Sequence, residues 1–359
     1  MSHKPDFAPN WASMPGESIA DILHERRLSL EDFAAKMEST EQDVLDLMHG
    51  FITINDRIAK QLQKVLGGSS EYWIRREELY RSSVERLRAA EEKKWLQELP
   101  LKDMLKFNWI SKTQDVVSEC LQYFNVPDVW TWRKKYRDIN TFASFRRSTV
   151  FKSVPAAVAA WIRQAEIQAE KMVINDWNPE KFRELLPNMK GLSRMKDPVT
   201  FMPKLKDMCA DCGVAIVMAP TPEGCATSGA AKFLSPKKAL IVQSFRYRTD
   251  DHFWFTFFHE AGHLLLHGNK DVFIDEKNFS EIADQAEQEA NNFSVSCLIP
   301  VEIQSRLTTM TISQRSIKDA ANASGVSLGI IVGQLQHLNR VPYNHFVGFK
   351  RKYEWSDYN

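Results

Sequence analysis

The chain contains no run of 18 apolar residues, so none of its 359 residues is expected to form a membrane-spanning helix. The stretch Met1 to Trp11 is polar, contains prolines and lacks the apolar segment of a secretory signal. A cytoplasmic protein with no membrane partner is therefore expected. Cysteine is scarce, odd in number and scattered, at Cys120, Cys209, Cys212, Cys225 and Cys297, which argues against a disulfide framework. Cys209 and Cys212 form a lone CxxC without the two further ligands of a structural zinc site, so they read as a helix end running into a buried strand. Net charge is nearly absent as well. Lys and Arg number 47 against 46 Asp and Glu, which excludes a globally basic nucleic-acid binder but not a local patch. There is no internal repeat and no low-complexity tract.

What is present fits an ordinary globular protein, with 43% hydrophobic and 26% charged residues, long enough for two or three domains. Residues 1–16 read as a flexible arm. Residues 17–98 carry short amphipathic patterns, including Leu30 to Met37 behind the cap Ser29, Glu41 to His49 closed by Gly50, and Asp56 to Leu66. A short helix, a tight turn and a second short helix form the helix-turn-helix pattern. Residues 99–196 are again mostly helical, with an amphipathic helix expected over Val158 to Val173. The character changes near residue 197. A helix over Thr200 to Cys209 leads to a strand over Gly213 to Met218, then a turn-rich segment from Pro220 to Gly229 and a second strand over Ala239 to Ser244. Helices are expected over Asp251 to His267 and over Ile282 to Leu298, where Pro300 stops the second. Two more are expected over Ile312 to Ser324 and Leu328 to Leu338.

His259-Glu260-Ala261-Gly262-His263 is the motif that carries chemistry. Four residues on a helix place both imidazoles on one face, one turn apart, where they can share a zinc ion. Glu260 stands beside them as a general base for water. The bland alternative is a buried helix with two satisfied histidines. Catalytic zinc needs a third protein ligand and an open position. His267 lies four residues on, but a straight helix carries it away from the metal. The longer HExxHxxGxxH arrangement is absent, since Leu266 and Asn269 occupy its glycine and third-histidine positions. The segment Glu287-Gln288-Glu289-Ala290-Asn291-Asn292-Phe293 offers a carboxylate instead. Glu287 and Asn291 share a helical face, so one can bind metal while the other orients a ligand imidazole. Glu289 is the alternative ligand. His252, Arg246, Tyr343 and His345 are candidates for stabilising an oxyanion. An extended substrate is expected beside the edge of Ala239 to Ser244.

These stretches resemble the ImmA/IrrE family of zinc metallopeptidases. The likeness rests on Phe255 through His267, on Glu287 through Phe293 and on Leu298-Ile299-Pro300, with Ser294 where the family usually has alanine. It implies a Zn2+ site of His259, His263 and Glu287, with Glu260 as the base and the cleavage or inactivation of a repressor-type protein. The front of the chain resembles a HigA-type, Xre-family antitoxin or repressor domain through Pro15-Gly16-Glu17, Leu30 to Ala34, His49-Gly50 and Glu71-Tyr72-Trp73. The expected fold is α+β and mostly helical. It would have an N-terminal helix-turn-helix bundle (17–98), a helical middle region (99–196) and a zincin-like domain (197–359) with a small sheet. The function these likenesses imply is a site-specific regulatory peptidase acting on a helix-turn-helix repressor or antitoxin. The alternative is a non-proteolytic antitoxin or transcription regulator with a zinc-binding sensor domain.

The charge pattern of the front bears on nucleic acid. Between Glu17 and Tyr80 there are 13 acids and 8 bases, and the second helix of the pattern carries Glu41, Asp43 and Asp46 with no Lys or Arg. Acids near phosphates oppose DNA binding, so two roles stay open: operator DNA binding, or a protein-docking module that engages a partner or holds a homodimer together. Trp130 to Lys152 is more basic. It carries Arg133, Lys134, Lys135, Arg137, Arg146 and Arg147 among aromatics, which suits either a single-stranded nucleic-acid contact or a solvated helical face.

Overall fold

The computed structural model describes residues 11–136, 154–244, 248–268 and 279–353. Two compact units emerge, Met1–Gln97 and Glu98–Asn359. The first consists of α1 (Pro15–Arg26), α2 (Leu30–Lys36), α3 (Glu41–Met48), α4 (Asp56–Leu66) and α5 (Ser70–Glu98), whose last residue crosses the boundary. Local chemistry sets the starts of these helices. The Ser29 hydroxyl accepts from the Asp32 N–H at 3.1 Å, Thr40 and Asp43 cap each other reciprocally, and Asn55 accepts from the Ile58 N–H at 3.0 Å. Ile19, Phe33, Val44, Leu62 and Trp73 form the core of this unit. Trp73 Nε1 donates to the Gly67 carbonyl at 2.9 Å, and Arg76 ties α5 back to Ser13 and Ser18.

The second unit begins with α6 (Leu101–Lys106), α7 (Val116–Phe124) and α8 (Val129–Tyr136), followed by α9 (Pro155–Glu170), α10 (Pro179–Leu192) and α11 (Pro198–Ala210). Strands β1 (Val214–Met218), β2 (Gly229–Ser235) and β3 (Lys238–Gln243) come next. They are followed by α12 (Asp250–Gly262), which runs on into a π-helical turn over His263–His267, and then by α13 (Phe279–Leu298), α14 (Val301–Thr309), α15 (Gln314–Ser324) and α16 (Leu328–His337). The fold is thus α+β and mostly helical, with one small sheet.

The sheet order is β1-β3-β2. The central strand β3 runs parallel to β1, with Val214 opposite Ala239, and antiparallel to β2, with Gly229 opposite Gln243. This corrects the expectation of an exposed edge at Ala239 to Ser244, because that strand is hydrogen-bonded on both sides. Among the described residues the unpaired edge next to the helices of the site belongs to β2. The sequence hides β2 because Gly-Ala-Ala-Lys-Phe-Leu-Ser has no β-branched residue. Pairing with β3 across a tight turn makes it a strand. Helix α9 also departs from expectation. It is buried on nearly every side from Ala156 to Ile162, not amphipathic. Its small alanines let it lie on the sheet, where Trp161 Nε1 donates to the Ala219 carbonyl at 3.0 Å. Its buried Glu166 meets Arg163 at 3.0 Å and Lys232 of β2 at 2.7 Å. Pro300 does end α13, but it also opens α14, whose first turn tolerates its missing N–H.

Helix α12 is the centre of the unit. Phe253, Trp254, Phe257 and Phe258 are all buried, packed with Phe201, Leu205 and Ile241. Each such side chain contributes roughly 1.5–3 kcal/mol on leaving water. The start of α12 is clamped by polar groups. Ser327 Oγ donates to Asp250 at 2.7 Å, the Arg351 N–H donates to Asp250 at 3.0 Å, and Lys350 Nζ meets Asp251 at 2.6 Å. Arg351 in turn donates to the Ser193 and Met195 carbonyls.

Burial, with Asp251 adding to it and the Ser327 and Arg351 hydrogen bonds opposing it, pushes the Asp250 carboxyl up to about 6. Below about pH 4 this group is protonated in folded and unfolded chains alike. As pH rises from there through 6 the unfolded chain releases its proton first, so stability falls across that window. Asp250→Asn is therefore expected to gain on the native chain between pH 4 and 7, by up to about 3 kcal/mol. Urea unfolding at several pH values reads this difference, and a difference that does not vary with pH would contradict the buried carboxyl.

Candidate metal centre

The site is made where α12 and α13 cross antiparallel. Gly262 allows the close approach: a methyl group built there would lie 3.1 Å from the Phe293 ring and 3.3 Å from the Ala290 backbone. Ser294 Oγ donates to the Phe255 carbonyl at 2.9 Å and fixes the register between the helices. With that register set, Glu287 faces His259 and His263.

Three donor groups converge. His259 Nε2 and His263 Nε2 are 3.0 Å apart, Glu287 Oε2 is 3.4 Å from the first and Glu287 Oε1 is 3.3 Å from the second. The three residues are grouped closely enough to hold one metal ion. Donors on one tetrahedral zinc stand about 3.3–3.5 Å apart, given bond lengths of about 2.0–2.2 Å. Two imidazoles and one carboxylate, with a fourth position left to solvent or substrate, match the donor set of a catalytic zinc site.

Electrostatics agree with this geometry. Burial lowers the His263 pKa, against the opposing hydrogen bond to the Glu287 carboxylate, and so favours the neutral imidazole that a metal needs. Burial alone would raise the Glu287 carboxyl, but the hydrogen bonds and charges of His259 and His263 hold it at about 2. His259 Nδ1 lies 3.1 Å from Asn291 Oδ1. That oxygen can only accept, so Nδ1 carries the proton and the Nε2 lone pair faces the cluster.

The other sequence candidates are distributed as follows. Glu260 is fully buried on α12, and a methyl group built on Gly229 of β2 would lie 2.8 Å from its Oε1. Glu289 and His267 stand apart from the three-residue group. His267 nevertheless stays beside it: its Nδ1 is 3.1 Å from His263 Nδ1 and its Nε2 is 3.1 Å from Glu289 Oε2. It is not among the three grouped donors, and the chain makes a π-helical turn there, closed by Gly268 N–H on the His263 carbonyl at 3.3 Å. His252 lines a small polar cavity with Ser228, Ser244, Arg248 and Thr256. Tyr343 and His345 lie on a segment held by Gln336, which donates to both their carbonyls at 3.1 Å. Neither makes a hydrogen bond to the cluster. Arg246 lies outside the described residues, as do Arg137, Arg146 and Arg147 of the basic stretch. Within α8, Arg133 grips Glu98 at 3.0 and 3.1 Å, Lys135 donates to the Phe124 carbonyl at 3.2 Å, and Lys134 sits over the exposed Trp130 ring. Trp132 and Tyr136 pack inward against Phe124. Cys209 and Cys212 are both buried, with thiols pushed up by that burial, and they join no metal group among the described residues.

Residues 227–333 match the M78 peptidase family profile described as the IrrE N-terminal-like domain. The match contains β2, β3, α12, α13 and every member of the cluster, and it supports a metallopeptidase in general. No curated protein matches the chain. No helix among the described residues is long and apolar enough to cross a membrane.

Glu287→Ala is expected to abolish tight zinc binding, measured by competition with a chromophoric chelator, whereas Glu289→Ala should weaken it far less. In the native chain affinity should hold at neutral pH and fall as the solution is acidified, because protons then compete for the His263 imidazole, whose pKa burial has lowered, while the carboxylate stays ionised. Equal losses in the two variants would contradict this assignment.

Proposed function

We propose that the second unit is a zinc-dependent endopeptidase that cuts an extended segment of a partner protein, with a helix-turn-helix repressor or antitoxin as the expected partner. The observation that carries the proposal is the meeting of two Nε2 atoms and one carboxylate at mutual distances of 3.0–3.4 Å, one residue from a buried Glu260. His259, His263 and Glu287 would hold the ion. The chemistry such an ion supplies is Lewis acidity, which polarises a peptide carbonyl and lowers the pKa of a water to about 7. Glu260 takes the proton of the attacking water at its carboxylate and hands it to the departing amine nitrogen. Asn291 keeps the His259 lone pair directed at the cluster. The outer edge of β2 offers backbone donors and acceptors for an extended segment, and its first residue, Gly229, lies against Glu260. Recognition along a strand edge suits a site-specific protease, since selectivity then comes from docking.

The first unit fits a docking role within this reading. Helix α3 carries the exposed Glu41 and Asp43 and the half-buried Asp46, a charge that opposes phosphate and favours a protein partner.

Glu260→Gln is expected to keep zinc and fold and to lower cleavage of the partner by about 100- to 10,000-fold. Survival of the biological activity in that variant would replace the peptidase by a regulator that binds without cutting. Gly229→Ala should also keep zinc while lowering kcat, because the added methyl clashes with Thr256 Cγ2 and with the Glu260 carboxylate on the same face of α12. An unchanged kcat in that variant would separate β2 from the catalytic geometry.

A further inference from the structure

We propose that His267 and Glu289 are positioning residues that hold the His263 imidazole through its Nδ1, a second support for the metal centre that matches what Asn291 does for His259. This rests on the metal-site reading above and adds two residues to it.

The hydrogen-bond logic is closed. His263 Nε2 faces His259 Nε2 and Glu287, so it must present its lone pair there. A neutral imidazole then carries its proton on Nδ1. That nitrogen lies 3.1 Å from His267 Nδ1, which must accept. His267 in turn carries its proton on Nε2, 3.1 Å from Glu289 Oε2, which can only accept. Every donor along the line meets an acceptor in one arrangement of protons. Glu289 is itself oriented, with Oε1 accepting from Gln285 Nε2 at 2.9 Å. Both nitrogens of His267 are thus engaged, and it reaches His263 on the side of the ring away from the cluster. It is not a fourth ligand.

Backbone geometry supports the same assignment. The His263–His267 segment leaves the α-helical pattern for a π-helical turn, a wider and less favourable ring that recurs where a side chain must be aimed. Within that turn the two ring centres stand 5.2 Å apart. The supports of the two ligand histidines differ in kind. His259 is held by a neutral amide, whereas His263 is linked through an imidazole to a carboxylate whose side chain is 46% exposed. A carboxylate behind a ligand imidazole makes that ligand more basic, so His263 becomes the stronger donor of the pair.

The test uses the full chain loaded with zinc or with Co2+ as a spectroscopic probe. His267→Phe keeps the ring's bulk and removes the acceptor. It is expected to weaken zinc binding by about 10- to 100-fold and to shift the visible Co2+ bands. His267→Asn should recover affinity to within a few-fold, because its Oδ1 can accept from His263 as Asn291 accepts from His259. Glu289→Ala should weaken binding less, in the same direction. X-ray absorption of the native zinc form should count two imidazoles. Three imidazoles, native affinity in His267→Phe, or an Asn variant no better than the Phe variant would each overturn the proposal. If His267→Phe fails to fold by circular dichroism, His267→Asn and Glu289→Ala decide: tight binding in the first with weaker binding in the second supports the proposal, and equal affinity overturns it. A native chain that binds no zinc overturns the peptidase reading itself. A native chain that binds zinc tightly beside an equally tight His267→Phe variant overturns only the positioning role.

Discussion

The antiparallel contact between α12 and α13 governs the chemistry of the second unit. Two imidazoles and two carboxylates lie in or near an apolar interior, where an unsatisfied polar group costs several kcal/mol. The contact resolves that cost by bringing groups with complementary needs together. Gly262 lets the helices approach, Ser294 fixes their register on the Phe255 carbonyl, and Glu287 then lies between His259 and His263. A slip of one residue would send Glu287 to another face and take the carboxylate away from both imidazoles. Ser294 stands where the resembled family usually has alanine, and here its hydroxyl makes a bond that alanine could not.

Around that contact the rest of the unit acts as a frame. The aromatic face of α12 fills the core against α11 and β3, and Asp250 and Asp251 tie its first turn to α16 and the segment that follows. Helix α9 covers the sheet and reaches β2 through Glu166 and Lys232. Strand β2 is held in this way from one side and by β3 from another, which leaves an edge beside Glu260 supported on rigid elements. A site on such a frame can keep its groups within the small tolerances that proton transfer requires.

Much of this was legible in the sequence, and the failures have particular causes. The HExxH spacing, the Glu287–Asn291 pair and the cap at Ser29 are local signals, and local geometry reproduces them. The edge strand was misassigned because strand order is decided by long-range pairing. Strand β2 was invisible because Gly229, Ala230 and Ala231 have no intrinsic strand preference. Helix α9 was read as amphipathic because Arg163 and Glu166 look like a solvent face until their partners, Lys232 and the Tyr123 carbonyl, come from distant positions in the chain. The contact of His267 with His263 Nδ1 is not legible in the sequence, which weighs His267 only as a metal ligand, and nothing local announces the π-helical turn.

The most direct test of the central idea is anomalous diffraction at the zinc absorption edge from crystals of the purified chain. One ion is expected within about 2.0–2.2 Å of His259 Nε2, His263 Nε2 and a Glu287 carboxylate oxygen. A map with no anomalous peak between α12 and α13, or with its peak on other residues, would contradict the assignment of this cluster as a metal centre.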